Sequence, residues 1–85
     1  MIQVILSKKA RKSLDVIPDL EAKRIDQHLQ ALEQNPFPHG AIKLANAGNF
    51  HRLRVGKYRI IYEFLENRKL ILVATIGHRK EVYKK

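Results

Sequence analysis

The chain has 85 residues, no cysteine and a formal net charge of +9. This length suffices for one domain with a modest core and excludes separate catalytic and recognition domains. Without cysteine there is no disulfide, thiolate nucleophile or cysteine-type zinc site, which fits a reducing cytoplasm. The longest apolar run, Leu70 to Ile76, is far shorter than the roughly 18 residues of a membrane span, so we expect no membrane partner.

The positive charge is concentrated in the second half of the chain. Residues 1–49 carry seven Lys and Arg against five Asp and Glu, whereas residues 50–85 carry ten against three. A face exposed only for solubility normally mixes both signs, so this asymmetry favours a surface that binds phosphate. The four histidines lack the spacing of metal ligands, and we expect neither a metal nor a cofactor.

The first half of the chain predicts one strand and two helices. Ile2 to Leu6 are rich in β-branched residues, which favours a strand, and Ser7 offers an N-cap oxygen. Apolar residues recur with helical spacing from Lys8 to Val16, and Pro18 ends this first helix. A second helix follows the proline, and the two form a helical hairpin. The apolar stripe of the second helix comprises Ile25, Leu29 and Leu32.

The second half predicts three strands after a loop-rich connection. The β-branched segments are Phe50 to Val55, Tyr58 to Phe64 and Leu70 to Ile76. Gly56-Lys57 lies between the first two segments and Glu66-Asn67-Arg68-Lys69 between the last two, and both connections have lengths typical of hairpins. We therefore predict a single α+β domain over residues 1–85, ordered β-α-α-β-β-β. Its helical hairpin packs on one face of a twisted antiparallel sheet.

The two-residue loop Gly56-Lys57 defines the register of the first predicted hairpin. Glycine in the first position suits a type II′ turn, and counting outward from it places Arg54 directly opposite Arg59. Arg52 lies one pleat away on the same face. Like charges so placed repel each other, and an anion between them would explain their presence. Guanidinium groups match phosphate oxygens bidentately, which indicates an RNA or DNA backbone as the ligand.

The end of the third predicted strand adds further candidates to this cluster. The simplest register of the second hairpin places Arg59 against Ile76, which brings Arg79 beside the cluster and Tyr83 near it. The alternative for Tyr83 is an aromatic residue packed on the sheet edge. Strand alternation directs His78 away from Arg79, which favours a structural role for His78 over acid–base chemistry.

Three segments of the second half form a recognisable combination. They are Arg52-Leu53-Arg54-Val55-Gly56-Lys57-Tyr58-Arg59 with its continuation to Glu63, Ile76-Gly77-His78-Arg79, and Val82-Tyr83. This combination resembles the RelE/ParE superfamily of toxins from type II toxin–antitoxin modules, and most closely the RelE branch. The resemblance implies a microbial-RNase-like fold. For the RelE branch it also implies a ribosome-dependent endoribonuclease that cleaves mRNA in the A site and so inhibits translation.

The resemblance also assigns roles to single residues. Five of them surround the scissile phosphate: Arg52, Arg54, Arg59, Arg79 and Tyr83. The arginines stay protonated and would neutralise charge in a metal-independent attack by the 2′-OH, for which Tyr83 is the candidate general base. Catalytic relatives carry lysines in the first two positions, so we assign that pair to phosphate binding. Further RNA-binding residues are Lys57, His78 and Lys80.

The same resemblance implies partners and leaves two alternatives. A cognate RelB-like antitoxin would wrap the sheet and cover the arginines, giving a hetero-oligomeric complex, and mRNA and the ribosome would be the targets. One alternative is a ParE-like toxin that inhibits DNA gyrase through protein contact, although that branch generally lacks the full set of arginines and tyrosine. The other alternative is a non-catalytic basic module that binds RNA.

Overall fold

A computed structural model describes residues 2–45 and 48–78 of the chain. Its elements are β1 (Gln3–Leu6), α1 (Lys8–Val16), α2 (Asp19–Leu32), β2 (Ile42–Lys43), β3 (Phe50–Val55), β4 (Tyr58–Leu65) and β5 (Leu70–His78). A single 3₁₀ turn, Glu66–Arg68, connects β4 to β5. The strands form one sheet in the order β1-β5-β4-β3-β2, and the two helices pack on one of its faces. The predicted α+β class is confirmed.

Ser7 ties the beginning of α1 to the sheet. Its hydroxyl accepts a hydrogen bond from the backbone N–H of Ala10 at 3.0 Å, as an N-cap does. The same hydroxyl donates to the carbonyl oxygen of Ala74 in β5 at 2.7 Å. The backbone N–H of Ser7 donates to the carbonyl oxygen of Val73 at 2.9 Å. One short side chain therefore anchors the helix at a defined point along β5.

The core lies between the helices and the face of the sheet that they cover. The predicted stripe of α2 is buried, and its first turn carries Asp19 and Glu21, whose charge complements the helix dipole. Tyr62 of β4 is fully buried, and its hydroxyl donates to the carbonyl oxygen of Pro36 at 2.7 Å. The largest fully buried side chains are Tyr62, Ile25, Leu32, Ile60, Ile71, Ile76 and Val73.

The sheet is mixed, which corrects the prediction of a purely antiparallel one. Strands β3, β4 and β5 form the predicted antiparallel meander, but β1 pairs with β5 in the parallel direction. No tight turn joins β1 to β5, so the hairpin rule that governs the meander does not apply to this pair. The short strand β2 was not predicted, because two residues are too few to show a period.

The second hairpin departs from its predicted register by one residue. Arg59 lies opposite Gly77, whereas the simplest register predicted Ile76. The pairing follows the predicted count from the loop as far as Val73, and a bulge at Ala74 then shifts it. The carbonyl oxygen of this extra residue is the one that accepts the hydrogen bond from the N-cap hydroxyl of α1. Such a long-range contact leaves no trace in local sequence patterns.

Candidate phosphate-binding site

Three arginines meet on the sheet face that the helices leave uncovered, here called the helix-free face. Arg54 of β3 lies directly opposite Arg59 of β4, and Arg52 lies opposite Ile61. This register confirms the predicted one. In a two-residue hairpin, the pair next to the loop exchanges hydrogen bonds. The pair Arg54 and Arg59 is therefore of the non-hydrogen-bonded type, in which side chains approach more closely.

The three arginines, here called the arginine cluster, differ in their exposure. Arg59 is only 7% exposed, Arg52 is intermediate and Arg54 is exposed. On β5 the residue directly opposite Arg59 is Gly77, which has no side chain. The cluster thus has a buried base at Arg59 and an open rim at Arg54. An anion can reach such a site from solvent and still contact a cation held in place by the sheet.

The loop Gly56-Lys57 holds the two arginine strands together at one end. Gly56 has a φ of +59°, and within this loop it alone has a positive φ. This pattern matches the type II′ turn that the sequence predicts. Lys57 is exposed at the tip of the hairpin, close in sequence to the cluster. It can therefore add positive charge at the rim without entering the core.

The remaining predicted site residues lie elsewhere or outside the described part of the chain. His78 lies opposite Tyr58 on the helix-covered face, and the two ring centroids are 6.0 Å apart in a T-shaped arrangement. The structure therefore does not bring His78 into the arginine cluster, in line with the alternation of the strand. Arg79, Lys80 and Tyr83 lie outside the described residues.

Apolar side chains on the helix-free face were missed by the sequence reasoning. Ile42 of β2 lies directly opposite Arg52 and is 49% exposed. Ile5 of β1 is 41% exposed, and its neighbour across the pair is Leu72 of β5. The alternation of exposure along β1 is clear in the structure, but consecutive apolar residues there hide it in the sequence. The arginine cluster therefore adjoins a partly apolar surface.

The buried hydroxyl of Tyr62 stabilises the fold and is not part of the arginine cluster. Burial raises the pKa of the Tyr62 hydroxyl from 10.0 to about 12, because the charged form is poorly solvated there. The ring stacks on His51 with centroids 5.7 Å apart, as expected from their shared position on the apolar face. The ring centroid of the half-exposed Phe37 lies 4.8 Å from that of His51.

No metal site is found in the described ranges 2–45 and 48–78. No group of three or more histidine or carboxylate side chains in these ranges could hold a metal ion. In the same part of the chain, no helix is long and apolar enough to cross a membrane.

Comparison with known proteins identifies the family. Residues 4–83 match the family described as ParE toxin of type II toxin-antitoxin system, parDE. The chain is 27% identical over 84 residues to RelE1 of Methanocaldococcus jannaschii, covering 95% of this chain and 93% of that protein. It also resembles a chain of the RelE-RelB complex from Pyrococcus horikoshii OT3, with a TM-score of 0.82, 29% identity, and coverage of 92% and 94%.

The isolated E. coli RelE toxin shares the fold, with a TM-score of 0.82 at 17% identity and coverage of 98% of this chain and 92% of that one. The family match spans all described elements from Val4 of β1 to the end of β5. The chain therefore belongs to the ParE/RelE family of toxins of type II toxin–antitoxin systems.

Proposed function

We propose that this toxin is a ribosome-dependent endoribonuclease that arrests translation by cleaving mRNA in the A site. The observation that carries the proposal is the opposed pair Arg54 and Arg59, with Arg52 on the same sheet face. A cluster of fixed guanidinium groups suits a phosphodiester whose negative charge grows during reaction. The similarity to proteins named RelE supports the choice of RNA over other phosphates.

The proposed reaction is a transesterification within the RNA strand, without a metal. The 2′-oxygen forms a bond to phosphorus and the bond to the 5′-oxygen breaks, which leaves a 2′,3′-cyclic phosphate and a 5′-hydroxyl. The arginine cluster would stabilise the phosphorane that lies between these states. Tyr83 would take the proton from the 2′-OH and Arg79 would add a further positive charge. Lys57 and Lys80 would contact flanking phosphates.

We also propose that an antitoxin covers the helix-free face when the toxin is silent. The solved relatives from Pyrococcus horikoshii OT3 and Mycobacterium tuberculosis are toxin–antitoxin complexes. On this chain, the exposed Ile5 and Ile42 flank the charged cluster, so an amphipathic segment with acidic residues would match both the apolar and the basic parts. The resulting complex would be hetero-oligomeric, and its formation would block access of RNA to Arg59.

Cleavage of mRNA on programmed ribosomes tests the proposed reaction. The purified protein should cut within the A-site codon, and Arg59→Ala and Arg79→Ala should each slow cleavage by about 100-fold, because each removes charge stabilisation of the transition state. Arg68→Ala is the matched control, because Arg68 is exposed in the 3₁₀ turn at the opposite end of β4 from the Gly56-Lys57 hairpin. Cleavage at the rate of the unmodified protein by both variants would refute the assignment.

A second candidate function follows from the family description, which names the parDE system. A ParE-like toxin would inhibit DNA gyrase, so a supercoiling assay should be run beside the ribosome assay. Inhibition of supercoiling without mRNA cleavage would replace the proposal. Salt-dependent binding of RNA without cut products would instead indicate a non-catalytic RNA-binding module.

A further inference from the structure

Helix α1 presents basic side chains on the side of the molecule formed by the helices, away from the helix-free face of the sheet. All of its cationic side chains are exposed: Lys8, Lys9, Arg11 and Lys12. Ala10, which lies among them in the sequence, is fully buried against the sheet. The four cations thus point away from the core within about 6 Å of helix length. We call this surface the α1 basic face.

The α1 basic face is an unfavourable arrangement for the helix itself. Lys8 lies three and four residues before Arg11 and Lys12, so like charges are direct neighbours on the helix surface. The helix dipole also places positive charge at this end, and the first turn contains no acidic residue. Each of these effects typically costs a few tenths of a kcal/mol. Helix α2 shows the favourable pattern, with Asp19 and Glu21 in its first turn.

Asp15, four residues after Arg11, is the one acidic residue of α1, and it leaves the helix with a net positive charge. None of the four side chains forms an ion pair or a side-chain hydrogen bond with another described residue. The backbone of the first turn is already satisfied in part, because the Ser7 hydroxyl accepts from the N–H of Ala10. The anion-binding capacity of the α1 basic face therefore resides in its four side chains and not in the helix end.

The composition of this face favours RNA over a protein partner. The cores of protein–protein interfaces are depleted of lysine and contain apolar anchors. From Lys8 to Lys12 this face has no exposed apolar residue, because Ala10 is buried, and the exposed Val16 borders it one turn beyond Lys12. Protein–nucleic acid interfaces are, in contrast, polar and strongly positive, and lysines serve them by contacting phosphates.

We propose that the α1 basic face binds phosphates of ribosomal RNA while the arginine cluster holds the mRNA. This inference rests on the proposed ribosomal function and adds a second, separate contact surface. The two surfaces belong to opposite layers of a molecule whose smallest extent is 25 Å. A short single strand bound at the arginine cluster does not reach α1, so the second contact requires RNA that surrounds the protein on two sides.

Removing positive charge from α1 tests the inference, because it should weaken ribosome binding without lowering the stability of the protein. The variant Lys8→Gln/Lys9→Gln should bind ribosomes about 10- to 30-fold more weakly near 0.1 M salt. Its plot of log affinity against log salt concentration should be shallower by about 0.9 for each lost contact. Its affinity for a short single-stranded RNA should be unchanged. Its melting temperature should be equal or higher, because like-charge repulsion is relieved.

The matched control removes two exposed cations from the middle of α2, as Lys23→Gln/Arg24→Gln. This control should retain the ribosome affinity and salt slope of the unmodified protein. If the unmodified protein binds and cleaves on ribosomes but the α1 variant binds equally well, the inference alone fails. A lower melting temperature of the α1 variant would also contradict it. If the unmodified protein does not bind ribosomes, the proposed function fails together with the inference.

Discussion

The side chains of Arg54 and Arg59 repel each other across β3 and β4, and Arg52 adds a third charge to the same face. Such a cluster lowers the stability of the free protein and raises its affinity for an anion that neutralises it. The two properties are linked through the same residues. Substitution of the exposed Arg54 should therefore change stability and RNA binding in opposite directions, a pattern expected of a binding site and not of a structural ion pair.

The variant Arg54→Gln should raise the free energy of unfolding by about 0.5 kcal/mol, because it removes one member of a directly opposed like-charge pair. Arg54 is exposed, so no buried contact is lost. Urea denaturation at low ionic strength measures the gain. The same variant should bind a single-stranded RNA more weakly. Arg68→Gln, which removes an exposed charge far from the pair, should raise the unfolding free energy by less than Arg54→Gln does. Lower stability of Arg54→Gln would contradict the repulsion.

Tyr62 makes stability dependent on alkaline pH. The pKa of its hydroxyl is about 12 in the folded protein and has the ordinary value of 10.0 in the unfolded chain. The unfolded chain therefore loses this proton first as pH rises. The stabilising contribution is present below pH 10 and is lost progressively between pH 10 and about 12, by an amount on the order of 3 kcal/mol. Unfolding free energies of the unmodified protein and Tyr62→Phe, compared at several pH values, measure this effect.

At pH 7 the unmodified protein should be the more stable of the two by about 1 kcal/mol, because its hydroxyl donates to the carbonyl oxygen of Pro36. Above pH 11 the order should reverse. The other ionisable groups are common to both proteins and cancel in the difference. A difference that does not change with pH would show that Tyr62 is not shielded from solvent in solution.

Among the structural elements, β5 is the strand on which the rest of the molecule is assembled. It pairs with β1 on one side and β4 on the other, and α1 packs against it. The bulge at Ala74 determines which residues of its second half point to the core. With the bulge, Ile76 is buried and Gly77 lies on the helix-free face opposite Arg59. The geometry beside the arginine cluster therefore depends on the bulge.

The variant Ser7→Ala should destabilise the protein by about 1.5 to 2 kcal/mol. It removes both the N-cap of α1 and the hydrogen bond to the Ala74 carbonyl oxygen, whereas an ordinary cap contributes about 1 kcal/mol. Thermal and urea unfolding measure the loss. Ser13→Ala is the matched control within α1 and should cost little, since alanine is the better helix former. Equal effects of the two substitutions would rule out the dual role of Ser7.

The chain carries a net charge of +9, and the part of it that the structure describes is at most 33 Å long. At 0.01 M salt the Debye length is about 30 Å, so nearly all positive charges act on one another. At 0.1 M it falls to about 10 Å, and repulsion between distant groups is screened. The free toxin should therefore be least stable in dilute buffer and should gain stability from salt or from a polyanionic partner.

Raising the NaCl concentration from 0.01 to 0.3 M should raise the melting temperature by about 5 °C, because screening removes roughly 1 kcal/mol of self-repulsion. Calorimetry or circular dichroism measures the shift. The Lys8→Gln/Lys9→Gln variant carries two fewer positive charges, so its melting temperature should rise less over the same range. A melting temperature independent of salt would show that the positive charges are too far apart to destabilise the fold.

Local sequence patterns correctly predicted the parts of the fold that depend on residues close together in the chain. The bounds of α1 and β3 and the N-cap at Ser7 agree with the predictions, because caps, prolines and periodicity act over a few residues. The register of β3 with β4 was also predictable, since a two-residue loop permits one pairing. The central feature of the candidate site, Arg54 opposite Arg59, follows from that loop. The phosphate-binding role of this pair remains a prediction.

Contacts between residues distant in the chain decided the features of the fold that local patterns did not predict. The sequence by itself determined the α+β class, the first hairpin and the charge that lines its helix-free face. Tertiary structure decided the parallel pairing of β1 with β5 and the shift that sets Gly77, and not Ile76, opposite Arg59. The physical reason is that this shift accompanies a hydrogen bond from Ser7 to Ala74, and no local pattern encodes a bond between residues so far apart.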